Sequence, residues 1–260
     1  MIRLLCTLVA LLLAPVCVTA TPASPLRVLL GNAAPWAYFD QDCQPAGIGV
    51  DLMGAVSRRA AVPIEFVYVP YEEERAAFLD GRLDADINEL NDWYDQQMIR
   101  IAPILALDEV LVGHAEPERA DQALRRIGHV VTHNSRERAL AQLEAEIVEF
   151  DSYQELAAAY LADQVDAVAG IKETLLFHLY RQGASPAILR TLRSLQTVHV
   201  WLYVTPRTDP ALRGRLADAL DTQALEPVLV QAKTMHLGAH RLRAPREPAT
   251  CYPRPVDGDD

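Results

Sequence analysis

The run Asn134-Ser135-Arg136-Glu137 sets a short polar side chain three residues ahead of a glutamate, the pattern that opens a helix. The unpaired N–H groups of such a first turn sit at the positive end of the helix dipole, where an anion can rest. Arg136 adds a full charge to the same turn. The competing account leaves Asn134 as a helix cap and Arg136 on a solvated face. Glu89 lies just past the strand-like stretch 85–87, at the strand end where clefts open in α/β sheets, and would suit a cationic or hydroxylated solute. A solvated loop suits it equally. Trp36 and Tyr71 offer π faces to a flat or cationic ligand, or they pack loop against helix.

Other chemistries find little support. Of the seven histidines (His114, His129, His133, His178, His199, His236 and His240), only His236 and His240 share helical i, i+4 spacing. No cysteine or carboxylate set completes a metal centre around them, so no metal is expected. There is no Gly-x-Ser-x-Gly and no phosphate loop, and Ser135 and Ser152 are accounted for as helix caps. No cofactor is expected either.

The elements that must position these residues show a repeat. Leu79-Asp-Gly-Arg-Leu-Asp84-Ala85 and Leu161-Ala-Asp-Gln-Val-Asp166-Ala167 are offset by 82 positions. Each ends a helical pattern and opens a strand, and each helix follows a strand-like run, 64–69 or 147–150. Strand, helix, turn and strand of this length make a βαβ crossover, which forces parallel pairing. Used twice, it predicts two similar α/β lobes with a cleft between them; the plainer alternative is one α/β chain with two look-alike crossovers.

The first lobe is expected over 25–112 and 204–240. It holds strand 26–30, a long loop to Gly49, helix 51–59, strand 64–69, helix 71–79 with Gly81 as its left-handed cap, strand 85–87 and a polar loop 88–97. Strand 109–113 runs into the charged linker 116–121, the expected first hinge. The second lobe, 113–203, holds strands 129–132, 147–150 and 167–170 and helices from Asn134, from Ser152 and over 172–182. Strand 198–204 is the second hinge, helices 209–225 and 226–233 return to the first lobe, and 241–260 is a Pro-containing tail.

Arg3 followed by an uncharged stretch to Ala20, with Val18-Thr19-Ala20 as a small-residue cleavage site, reads as a secretory signal peptide over 1–20. Val16 before Cys17 is wrong for a lipobox. Cleavage removes one positive charge and takes the net charge from −11 to −12. Such an acidic chain is a poor partner for nucleic acid or an anionic membrane surface. Cys43 and Cys251 then stay in the exported chain, where two cysteines ordinarily pair.

An ordered set of motifs carries a family resemblance: Leu26-Arg-Val-Leu-Leu-Gly31, Pro35-Trp-Ala-Tyr-Phe39, Gly47-Ile-Gly-Val-Asp51-Leu52, the 79–85 block, Val165-Asp-Ala-Val-Ala169 and Lys233-Thr-Met-His-Leu-Gly238. Together they resemble the extracytoplasmic solute-binding proteins of the polar amino-acid uptake type, such as the lysine/arginine/ornithine- and histidine-binding proteins. The resemblance implies a type II periplasmic-binding-protein fold, α/β and two-lobed, with two crossover hinge strands. It implies a periplasmic monomer that closes on a small polar solute and delivers it to an ABC permease, with no membrane insertion after signal cleavage.

Carried over by position, Trp36 and Tyr71 fall on ligand-stacking aromatics, and Asn88, Glu89 and Asn91 on hydrogen-bonding positions. The arginine that clamps the ligand carboxylate falls near Gln96 or Gln97, and the carboxylate that grips the ammonium falls on Ile171. Both charge anchors are therefore replaced, which argues against ordinary α-amino acids as ligands. Two further readings share the fold: a dehydratase-like enzyme, for which Glu89 and Glu173 would supply acid and base, and a ligand-poor accessory or sensory protein. The missing cationic clamp argues against the enzyme.

Overall fold

The computed structural model describes residues 24–115, 124–130, 140, 143–238 and 245–251. The expected signal peptide, the linker 116–121 and the expected anion site at Asn134, Ser135 and Arg136 lie outside the described residues.

The strands are β1 (Leu26–Leu29), β2 (Tyr38–Phe39), β3 (Pro45–Ala46), β4 (Ile64–Val67), β5 (Ala85–Glu89), β6 (Ile99–His114), β7 (Arg126–Val130), β8 (Glu146–Phe150), β9 (Ala167–Ile171) and β10 (Leu189–Val204). Eight of them form one sheet in the order β4-β1-β5-β10-β6-β9-β7-β8. That order is a palindrome. In each half a central strand pairs in parallel with two neighbours, β1 with β4 and β5, and β7 with β8 and β9. Between the halves runs an antiparallel ribbon of β6 on β10, with β10 bordering β5 and β6 bordering β9.

The 82-residue repeat maps onto this symmetry. Asp84 sits ahead of β5 and accepts from the Arg27 backbone N–H at 3.1 Å and from the Arg27 guanidinium at two distances of 2.8 Å. Asp166 sits ahead of β9 and accepts from the Arg125 and Arg126 N–H groups at 2.7 and 2.9 Å. Each aspartate also donates its own N–H to the strand alongside, to Arg27 or Arg126. The repeated Asp-Ala is thus a strand-start clamp that sets the register of a parallel pair. The preceding turn is left-handed in both copies: Gly81 at φ 88° and, 82 residues on, Asp163 at φ 54°. Aspartate is among the few side chains that adopt this conformation readily, which is why the second copy works without glycine.

The described helices are α1 (Ile48–Ala60), α2 (Glu74–Asp80, entered through a 3₁₀ turn Tyr71–Glu73), α3 (Asp92–Gln97), α4 (Tyr153–Leu161), α5 (Lys172–Arg181), α6 (Pro210–Ala219), α7 (Thr222–Leu237) and α8 (Pro248–Cys251). One core gathers Leu26, Val28, Leu52, Val56, Leu202, Leu216 and Leu225 under α1, α6 and α7. Another gathers Val110, Val112, Leu156, Tyr160, Val168 and Leu175 under α4 and α5. Every residue of β9, Ala-Val-Ala-Gly-Ile, is buried, as expected of a parallel strand covered on both faces.

Three regions differ from the sequence reading: the central ribbon, the 88–97 stretch and the last two helices. β6 and β10 are each 16 residues long, where short strands over 109–113 and 198–204 were expected. The outer part of β10, 190–199, carries charged and polar residues that face water, whereas β6 is mostly apolar with only Arg100, Ala106 and Asp108 exposed. Four register shifts interrupt the pairing, so no clean alternation marks the ribbon. The expected polar loop 88–97 contains α3, held by the Asn91 side chain accepting from the Trp93 N–H. The break between the last two helices comes at 220–221, where Asp221 caps α7, so Pro227 lies inside that helix.

Cys43 and Cys251 are joined, 208 residues apart in sequence. No helix among the described residues is long and apolar enough to cross a membrane.

Candidate ligand-binding site

A hollow of about 1230 Å³ opens beside the C-terminal ends of β1, β4 and β5. Trp36, Phe66, Tyr68 and Tyr71 supply aromatic surface, and Ile87, Leu105, Leu107 and Val200 supply aliphatic surface. Five carboxylate residues also line it: Glu72, Glu73, Glu74, Asp86 and Glu89. None of the described lining residues is a lysine or arginine.

Asp86 is the acid set deepest in the wall, with 5% of its surface exposed. It accepts a 2.5 Å hydrogen bond from the Tyr94 hydroxyl, 3.2 Å from Asn88 Nδ2 and 2.7 Å from the Ile87 N–H. Burial pushes its carboxyl up to about 6, against the pull of these donors. Glu74, at the start of α2, is pushed up to about 7 by burial and by the charge of Asp86. Tyr94 is raised in turn, through burial and its place beside Asp86. Two acids titrating near neutrality in the wall of a hollow hold less negative charge when it is empty than a bound cation would draw from them.

Of the residues singled out from sequence, Trp36, Tyr71, Asn88 and Glu89 line this hollow. Tyr71 stands at its rim, 70% exposed. Asn91 and Gln97 are not among the lining residues: Asn91 is spent on capping α3, and Gln97 is exposed at the end of that helix beside the equally exposed Gln96. Ile171 is buried in the core below β6 and β10, so hydrocarbon fills the position expected to grip an ammonium group. Glu74 and Asp86 escaped the sequence reading. The available signal for Asp86 was a charged residue set between the apolar Ala85 and Ile87 at the start of a strand.

The two halves also touch directly, through α5. Trp36 Nε1 donates to Thr174 Oγ1 at 3.0 Å. Lys233 Nζ on α7 meets Glu173 Oε1 at 2.7 Å, while the other Glu173 oxygen is buried without a partner among the described residues. Tyr38 packs against Phe177 with ring centroids 6.2 Å apart, and its hydroxyl meets His236 Nδ1, whose Nε2 meets Asp51. His178 is pushed down to about 4 by burial and by Arg181, with a hydrogen bond to the Ala34 backbone opposing the shift. Glu173 is therefore engaged in an ion pair and is not one of the residues lining the hollow, which leaves Glu89 without the proposed acid/base companion there. No cluster of three or more metal-ligating side chains occurs among the described residues.

The model of bacterial extracellular solute-binding proteins, family 3, matches residues 26–224. The chain belongs to that family. Solved structures with the same two-lobed fold include the second substrate-binding domain of a putative amino-acid ABC transporter from Streptococcus pneumoniae, at 15% identity and TM-score 0.66, covering 82% of this chain and 100% of that one. The BvgS VFT2 domain of Bordetella pertussis, as a double mutant, matches at 22% and 0.63, covering 81% and 93%. The unliganded open L-cystine solute receptor of Neisseria gonorrhoeae matches at 21% and 0.64, covering 82% and 91%. No curated protein sequence matches the chain. At these identities the neighbours speak for the fold, a type II two-lobed binding domain built on the palindromic sheet.

Proposed function

We propose that this protein is an exported, periplasmic, monomeric receptor that closes its lobes on a small polar solute bearing positive charge and presents it to an ABC permease. In this reading the lobes are 25–112 with 204–240 and 113–203, and the protein binds its solute without catalysis. The observation that carries this reading is the wall of the hollow, where Asp86 and Glu74 titrate near neutrality beside the aromatic faces of Trp36 and Tyr71. An organic cation would ionise both acids and stack on the rings. With Gln96 and Gln97 outside the hollow and Ile171 in the core, the described residues at those positions do not supply the familiar grips for a carboxylate and an α-ammonium. Trp36, Tyr71, Asn88 and Glu89 are the proposed contacts. Family membership supports export and transport, as does the ABC transporter named for the Streptococcus pneumoniae relative.

A thermal-shift screen tests this reading with putrescine, agmatine and choline against arginine, glutamine and glutamate. A ligand at 100 times its dissociation constant adds about 2.7 kcal/mol of stability. Stabilisation by a carboxylate-free cation is expected, and tight binding of glutamate or glutamine overturns the cationic assignment. A second reading, a ligand-poor sensory or accessory protein, is favoured by the Trp36–Thr174 bond, which joins the lobes through the very aromatic that would stack on a solute. It is supported if no solute of the panel shifts the melting temperature.

A further inference from the structure

The hollow has a wall that the family-matched stretch does not supply. Residues 245–251 lie beyond position 224, where that match ends, yet Ala249 lines the hollow. Two anchors flank Ala249. On one side the Arg246 N–H donates to the Phe39 carbonyl at 2.8 Å, a strand-like bridge onto β2. On the other, Cys251 at the end of α8 is bonded to Cys43, in the turn between β2 and β3. Pro248 between them is buried.

The same loop that receives both anchors carries Trp36 and Ala37 into the hollow, and the ring of Phe39 meets that of Tyr68, another wall residue, at 5.9 Å. The tail is thereby fixed to the side of the hollow that bears the stacking aromatic.

We propose that residues 245–251 are a strap that completes one wall of the solute hollow, and that the Cys43–Cys251 bond keeps the strap in place and so limits the width of solute admitted. The proposal rests on the reading of the hollow as the solute site. Among the described residues the segment is held by the disulfide, by the buried Pro248 and by a single backbone hydrogen bond at Arg246, the last worth about 1 kcal/mol net. Without the covalent anchor the strap opens locally while the lobes, each with its own core, stay folded. The oxidised protein would then take slender cations, and the unbridged protein wider ones.

The test is acrylamide quenching of Trp36 fluorescence, isolated by subtracting the signal of Trp36→Phe in each background. Wild type is compared with the double variant Cys43→Ser/Cys251→Ser and with Ala249→Phe, which keeps the bridge and adds bulk at an exposed position. The Trp36 quenching constant should rise about twofold in the double variant, as expected for a locally opened cover, and should fall in Ala249→Phe. A constant unchanged from wild type in a folded double variant overturns the strap. If the double variant does not fold, Ala249→Phe decides: lowered quenching supports the strap and unchanged quenching overturns it. Acrylamide is neutral and reads access whatever solute binds, so this result stands apart from the outcome of the cation screen.

Discussion

Trp36 and Thr174, 138 residues apart, are joined by a 3.0 Å indole-to-hydroxyl hydrogen bond that crosses from one half of the sheet to the other. The neighbouring residue, Glu173, crosses in the same place to Lys233. One turn of α5 therefore fixes how the halves meet.

Thr174→Val keeps the shape of the side chain and removes the acceptor. The expected stability loss is about 0.5–1.5 kcal/mol, with a broader distribution of lobe orientations. Small-angle scattering of the solute-free protein should show a larger radius of gyration than wild type. Identical scattering would mean that the bond does not hold the lobes.

Lys233→Met removes the counter-charge from a carboxylate that is only 7% exposed. Breaking such a pair from one side costs about 3–5 kcal/mol when both groups are buried. Lys233 retains roughly a third of its exposure, which brings the expectation down to about 1–3 kcal/mol. Chemical denaturation at neutral pH reads it, and Glu173→Gln in the same background should recover part of the loss.

Asp86 and Glu74 make a pH prediction. Both folded-state values, about 6 and about 7, lie above the ordinary values of 3.8 and 4.5, so the folded protein holds these protons longer than the unfolded chain. Their contribution to stability is complete below about pH 4 and is lost as pH rises through 6 to 7. For Asp86 the loss is on the order of 2–3 kcal/mol. Melting temperature measured from pH 4.5 to 8 should fall less steeply in Asp86→Asn than in wild type; parallel slopes would remove Asp86 from the account. A cationic solute should bind more tightly at pH 8 than at pH 5, since both acids ionise across that interval.

Asp166→Ala should weaken the pairing of β9 with β7, because the Arg125 and Arg126 N–H groups lose a shared acceptor. The N–H groups are partly solvated, so the expected cost is about 1–2 kcal/mol. Amide exchange should accelerate at 126–130 and 167–171 while 26–29 and 85–89 keep their protection. Uniform acceleration over both halves would show that the halves unfold as one unit.

The paired α/β halves were legible because each crossover announces itself locally, through a helical apolar stripe, a left-handed turn and an Asp-Ala strand start within some twenty residues. The disulfide was legible from cysteine usage. The length of β6 and β10 was not, since their outer parts are stabilised by each other and by nothing within either segment. Residues at the hollow divide the same way. Trp36, Tyr71, Asn88 and Glu89 could be placed by position along the chain. Asn91 reads as a binding residue in sequence and serves as a cap in the fold, because a helix of six residues leaves almost no periodic trace. The acids Glu74 and Asp86 gain their character from burial, which no spacing rule reports.

The ribbon of β6 and β10 has a mechanical consequence. Two strands of 16 residues, paired to each other and bordered by a different half-sheet at either end, behave as a torsion bar rather than a loose joint. A rotation of one half against the other is stored as twist along their shared length. The four register shifts are where its stiffness is lowest, since each trades a ladder bond for extra twist. The two shifts at 200–203 lie beside β5 and the hollow's floor, so twist released there reaches Val200 and Glu89 first.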